Sequence, residues 1–176
     1  MIEPTYYGFQ PERQGRYIIG CERVHQVVDE LDVLHREHWN ETEVLYLNRE
    51  MDVDYERYIH MEDNGQFLLF TVRDAEDDVR MVGNLIYFIG DSVHTKGYLQ
   101  AKEDSFFLTK SARSGKLAMD VIKFAEKSLA SVGIQSVGMS DKSPCGGRSL
   151  DKMMRRLGYK PVAVYYVKEV GNDETV

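Results

Sequence analysis

From Phe106 to Ala118 the chain reads Phe-Phe-Leu-Thr-Lys-Ser-Ala-Arg-Ser-Gly-Lys-Leu-Ala, and it runs without a break into Met119–Ala130. An apolar strand, a small-residue turn and a long amphipathic helix follow one another so closely that the end of the strand must meet the start of the helix. Such a turn holds unpaired backbone N–H groups at the positive end of a helix dipole, which makes a receptor for phosphate. Arg113, Ser114, Lys116 and the bare backbone of Gly115 stand where they could hold a pyrophosphate. The plainer reading is a strand–helix connection with a glycine for steric relief and cations that face water.

At 176 residues, 43% of them hydrophobic, the chain suits a single domain over residues 1–170 with a frayed tail, Gly171 to Val176. Twenty-nine acidic against 22 basic residues give a formal charge of −7, which argues against a nucleic-acid surface and leaves cationic or amine-bearing partners open. Cys21 and Cys145 have no metal-type spacing, so neither a disulfide framework nor a metal site is expected. Met1 to Tyr7 lacks the basic and apolar pattern of a signal segment, and no apolar run approaches the roughly twenty residues of a membrane helix. The expectation is a cytoplasmic protein without membrane contact.

The remaining elements read in order. An extended opening around Tyr6 to Phe9 precedes a strand over Gly15–Cys21. Val24, Val27, Val28, Leu31, Leu34 and His38 then recur at three- and four-residue steps, the stripe of an amphipathic helix. Asp52 or Asp54 caps a second helix, Tyr55 to Asp63, which Asn64-Gly65 ends. Strands over Gln66–Arg73 and Arg80–Ile89 form a hairpin about Asp74–Asp78, a run too acidic to bury. A loop, Gly90 to Tyr98, is long enough to be functional. The strand Ser105–Thr109, the helix Lys116–Ser131 and the strand Ile134–Met139 make a parallel pair with a right-handed crossover. A short helix, Arg148 to Leu157, and a last strand, Lys160 to Val170, complete the chain.

This order resembles the GNAT N-acetyltransferase superfamily over nearly the whole chain. The cofactor signature of that family is Arg or Gln, two residues, Gly, one residue, then Gly or Ala. Here the run is Arg113-Ser-Gly-Lys-Leu-Ala118, with Lys116 where the signature has glycine. Glu37-His-Trp39, Asp54-Tyr-Glu-Arg-Tyr58, Phe70-Thr-Val-Arg-Asp74, His94 with Ala101 to Asp104, Ile122-Lys-Phe-Ala-Glu126 and Arg156-Leu-Gly-Tyr159 are similar to blocks of a subgroup encoded by tailed bacteriophages. The resemblance implies an α/β fold: a central mixed, mostly antiparallel sheet with one splayed parallel pair, flanked by helices. It also implies acetyl-CoA as co-substrate, lying in the wedge between the strand that ends near Leu108 and the strand Ile134–Met139. Leu108 would supply backbone contacts to the pantetheine arm, and the N–H groups of Arg113, Ser114, Gly115, Lys116, Leu117 and Ala118 would hold the pyrophosphate.

Acetyl transfer to an amine needs a base near the mouth of that wedge. Asp104 is the first candidate and Glu103 the second, since a partly desolvated carboxylate can accept a proton near neutrality; both also read as solvated strand-end carboxylates. His94 in the preceding loop is the third. The acid usual in the family is a tyrosine four residues before the late Gly-Phe or Gly-Tyr pair, and that position here is Met154, which leaves Tyr159, Tyr165, Tyr166 or solvent. His35, His38 and Glu41 make a poor zinc pattern, and Gly146-Gly147 after Ser143-Pro-Cys145 lacks the residue order of a phosphate loop. Two functions follow: an N-acetyltransferase acting on a protein lysine, an N-terminus or a small amine, or a protein of the same shape, weak or inert in catalysis, that binds a host or virion partner. A monomer and a homodimer are both compatible with the sequence, and a phage origin would put it in the host cytoplasm.

Overall fold

Phe67-Leu-Leu-Phe70 offers no polar side chain to turn toward water, so a strand built from it must be covered on both faces. The computed structural model, which describes residues 8–43, 49–141 and 150–168, does this with helices on either side of one sheet. The elements are β1 (Glu12–Gln14), β2 (Tyr17–Cys21), α1 (Val24–Glu41), α2 (Tyr55–Asp63), β3 (Phe67–Asp74), β4 (Arg80–Asp91), β5 (Leu99–Leu108), α3 (Gly115–Ser131), β6 (Ser136–Gly138) and α4 (Asp151–Arg156). The six strands lie in chain order, antiparallel throughout except for the parallel pair β5 and β6. Leu68, Phe70 and Val72 of β3 pack with Leu85 and Tyr87 of β4 beneath Val121, Ile122, Ala125 and Leu129 of α3. Phe67 and Leu69 turn to the other face and meet Val24, Leu31 and Leu34 of α1. No helix among the described residues is long and apolar enough to cross a membrane.

The ends of the helices follow their local chemistry. Asp54 caps α2 by accepting from the Arg57 N–H at 2.9 Å, and Gly65 takes the left-handed conformation, φ 70°, that ends it. A long-range pair fixes α2 against α1. Glu62, in the last turn of α2, accepts from the Val24 N–H at the start of α1 and pairs with Arg23 at 2.9 Å, both side chains being almost wholly buried. Burial lifts the Glu62 carboxyl to about 7, against the pull of the Arg23 charge and the Val24 amide.

His35 ties the same two helices. Its neutral ring donates from Nδ1 to the Tyr55 hydroxyl at 3.0 Å, and Tyr55 in turn donates to Asp32 at 3.3 Å, an arrangement that leaves the buried Nε2 with no hydrogen-bond partner. Burial, aided by His38 and opposed by Asp32, holds the imidazole down at about 4, from an ordinary 6.5. The unfolded chain therefore takes up a proton on this ring below about pH 6.5 that the folded chain refuses until about pH 4. Stability from this group is complete above that window and falls by about 3 kcal/mol across it on acidification. Urea denaturation of the wild type and of His35→Gln at pH 7 and pH 4.5 checks this, the difference between the two shrinking at the lower pH.

Several boundaries differ from expectation for physical reasons. Asp74 is not part of a solvated tip: it ends β3, is buried, and is held by the Arg16 guanidinium, which pulls its carboxyl below the usual range. β5 is ten residues long and not the five read from the apolar run, because it is paired from Leu99 onward. β1 forms a hairpin with β2 that the sequence did not announce. β6 keeps only three residues of Ile134–Met139. Residues 160–168 form no strand and lie exposed, with Val162, Tyr165 and Tyr166 about nine-tenths accessible. Their β-prone composition finds no neighbouring edge. The expectations for Tyr6, Ser143, Cys145, Gly146, Gly147, Arg148, Val170 and the tail 171–176 lie outside the described residues. Cys21 is buried, which pushes its thiol upward and away from reactivity.

Candidate active site

β5 is paired with β4 from Leu99 to Leu108, but with β6 only from Gln100 to Lys102. From Glu103 onward no strand covers that side of β5 among the described residues. A wedge therefore opens in the sheet, with its apex at Glu103. The carboxylate of Glu103 spans the apex, accepting from the Ser140 amide at 2.9 Å and the Ser140 hydroxyl at 2.6 Å. Tyr87 stands opposite Glu103 in β4, fully buried, and Tyr159 brings a second buried hydroxyl to the same face; neither phenol makes a well-aligned hydrogen bond. Burial raises both phenols most, with the Tyr159 phenol and then Glu103 and Glu126 adding to it at Tyr87 and Glu126 adding to it at Tyr159, so each is a neutral donor across the working pH range. Tyr165 and Tyr166 are in solvent.

Asp104 owes its position to an irregularity. Ile86 faces Ser105 and Tyr87 faces Glu103, so Asp104 is an extra residue in β5 with no counterpart in β4. Its side chain turns toward α2, where the Tyr58 hydroxyl donates to Oδ2 at 3.1 Å. Glu103 and Asp104, adjacent in sequence, thus project from opposite faces of the sheet at the wedge apex. They sit in the middle of β5, and not at a strand end as the sequence reading had it. Ser105 shares the α2 face and takes a hydrogen bond from Asn84 at 2.9 Å.

The far end of the wedge is the turn into α3. Ser114 is its N-cap, accepting from the Leu117 N–H at 3.1 Å, and the Ala118 N–H bonds the Ser114 carbonyl at 3.0 Å. The Gly115 and Lys116 amides, first in the helix, have no carbonyl within it to bond. A side chain at Gly115 would meet open space. Leu117 and Ala118 turn into the core. Both cations of the turn already have partners. Lys116 reaches back to Asp120 at 2.8 Å, while Arg113 donates from Nε to the Leu108 carbonyl at 2.8 Å and pairs with Glu41 of α1 at 2.7 Å, its guanidinium over the Phe107 ring.

Gly83 of β4 supports this end of β5. A Cβ there would lie 2.9 Å from the Phe107 carbonyl oxygen and would also strike a Leu108 methyl. The carbonyl is backbone and cannot swing aside. Gly83→Ala is expected to destabilise the protein by about 2 kcal/mol, read from the denaturant midpoint.

His94 lies apart from these groups. It is exposed in the loop beyond Leu99, and five strand residues, about 17 Å, separate Leu99 from Asp104. On the α2 side a cavity of about 420 Å³ opens between α1 and residues 51–55, with Asp29, Asp32 and Asp52 against a single cation, Arg36. Sequence reasoning did not identify Tyr58, Glu41, Ser140 or Tyr87 as neighbours of the site, because each reaches it from a distant part of the chain. The only signal for Tyr58 was its place in the Asp54-Tyr-Glu-Arg-Tyr58 block. No group of side chains fit to hold a metal occurs among the described residues.

No protein-family model matches the chain, and no curated protein matches it. Solved structures do. It is similar to a glucosamine-6-phosphate N-acetyltransferase from Arabidopsis thaliana, with 10% identity, 89% of this chain and 100% of that one covered, and a TM-score of 0.66. A ribosomal-protein-alanine N-acetyltransferase from Brucella melitensis is similar with 13% identity, coverage of 88% and 99%, and a TM-score of 0.64. A predicted acetyltransferase from Clostridium acetobutylicum, solved with acetyl-CoA, is similar with 9% identity, coverage of 88% and 96%, and a TM-score of 0.64. What is shared at such identity is the fold, a single-domain GNAT-type sheet with its parallel pair at β5 and β6.

Proposed function

We propose that this chain is an acetyl-CoA-dependent N-acetyltransferase that transfers an acetyl group to a primary amine by direct attack, the amine belonging to a protein lysine, a protein N-terminus or a small molecule. The observation that carries the reading is the opening between β5 and β6, with a carboxylate at its apex and a capped helix N-terminus at its far end. The turn suits a diphosphate through its main chain. The amides of Gly115 and Lys116 and the empty space beside Gly115 would receive the phosphates, and the helix dipole would offset their charge. Arg113 and Lys116 would add only what their pairs with Glu41 and Asp120 leave over. The exposed edge of β5 up to Leu108 would pair with the pantetheine arm as an added strand does. When bound, acetyl-CoA supplies the activated acyl carbon as a thioester.

The chain's own residues would handle the protons. Asp104 takes the proton that the amine must lose as its nitrogen bonds the acyl carbon and the C–S bond breaks. Water protonates the departing thiolate, an easy step for a thiol of pKa about 8.5. Glu103 keeps the apex at fixed width through Ser140. The acidic cavity beside α2 and the formal charge of −7 favour a cationic amine as acceptor. The resemblance to proteins of tailed bacteriophages supports a host cytoplasm as its place of work.

A second reading, a GNAT-shaped binding protein without turnover, is favoured by Met154 in place of the usual acid and by the internal pairing of Arg113. Calorimetry with acetyl-CoA followed by mass spectrometry of an amine panel and a cell lysate separates the two. Binding with acetylated product supports the transferase; binding without product supports the second reading. No binding overturns the transferase.

A further inference from the structure

We infer that Tyr58 is the positioning residue for Asp104. It holds the carboxylate in one orientation at the β5 bulge and favours its ionised form, an inference that rests on the reading of Asp104 as the base.

Asp104 is the residue of the bulge without a counterpart in β4. The Tyr58 hydroxyl reaches its side chain from an element 46 residues away, donating to Oδ2 at 3.1 Å. The phenol is itself immobilised. Its ring lies 4.7 Å from that of Phe67, 6.1 Å from Phe88, 6.1 Å from Tyr55 and 6.3 Å from His35, so aromatic groups of α1, α2, β3 and β4 close around it. A donor carried on so rigid a mount imposes its geometry on the flexible partner. Burial, reinforced by the Asp104 charge, raises the phenol well above its ordinary value, which keeps it a protonated donor around neutral pH. A hydrogen bond to the charged form of a carboxyl lowers its proton affinity. The bond thus costs Asp104 some basicity and gives in exchange a carboxylate held in one place to take the proton of the amine.

Tyr58→Phe tests this, since it keeps the ring and its packing and removes only the hydroxyl. Two readouts are needed: the pH dependence of kcat/KM, and an NMR titration of the Asp104 carboxyl carbon, which does not depend on activity. The variant is expected to shift the Asp104 titration and the acid limb of the profile upward together by about one pH unit. It should also lose about tenfold in kcat with little change in KM for acetyl-CoA. A role confined to packing would move neither the titration nor the limb, and an unmoved titration overturns the inference. If the titration moves while Asp104→Asn keeps full turnover, the reading of Asp104 as the base fails, and the proposed role of Tyr58 fails with it.

Discussion

Replacing Asp104 with Asn is expected to lower kcat by a factor of about 100 to 10,000 while acetyl-CoA binds as before. The two side chains have the same shape, and the amide oxygen of Asn can still accept from Tyr58, so neither the bulge nor the α2 contact is disturbed. What is lost is the ability to take a proton from an ammonium that must become an amine before it can attack. The turn into α3, proposed to hold the diphosphate, lies beyond the Leu108 end of β5 and has its own cap in Ser114, so calorimetric affinity for acetyl-CoA should be unchanged. Steady-state turnover with a saturating amine, set beside that calorimetry, gives the answer. Turnover equal to wild type would remove Asp104 from the chemistry.

The largest effect on stability is expected at Glu62. Glu62→Ala takes from the almost wholly buried Arg23 guanidinium its buried carboxylate, the more exposed Asp63 remaining beside it, and strips the Val24 amide of its acceptor. Removing one side of a buried pair costs about 3 to 5 kcal/mol, because the charge left behind has been taken out of water for nothing. That is a large share of the stability of a domain of this size. Urea unfolding of both proteins measures it, and a loss below 1 kcal/mol would mean that Asp63 suffices for Arg23. The same contact also positions part of the proposed site, since α2 carries Tyr58.

Much of the architecture was legible in the residues. Of Asp52 and Asp54, the two caps read for α2, Asp54 does the capping, and Asn64-Gly65 ends the helix as read, because capping is decided within a few residues of the helix end. The amphipathic run that becomes α3 was equally local. The middle of β5 was hidden, since Lys102 to Asp104 breaks the apolar run and only the cross-strand register shows that the strand continues. The run after Lys160 failed in the opposite way: its composition suits a strand, yet a strand exists only where an edge receives it. At the site, the sequence supplied the carboxylates and the turn but not what they touch. Glu41 reaches Arg113 and Tyr58 reaches Asp104 across contacts that no local pattern encodes. Glu41 leaves Arg113 already satisfied, as Asp120 does Lys116.

The irregularity at residue 104 also bears on how such a site can come and go. Take Asp104 out, and Ser105 would follow directly on Glu103, the two against Ile86 and Tyr87, in a strand of unbroken alternation with every remaining side chain on its present face. Losing a residue of the β5 interior outside the bulge pair Asp104 and Ser105 would turn part of the strand over and expose what is now core. The scaffold is thus complete without the one position proposed for the chemistry. Ancestry and design alike could add, delete or retype that residue while the two halves of the protein interior go on fitting together.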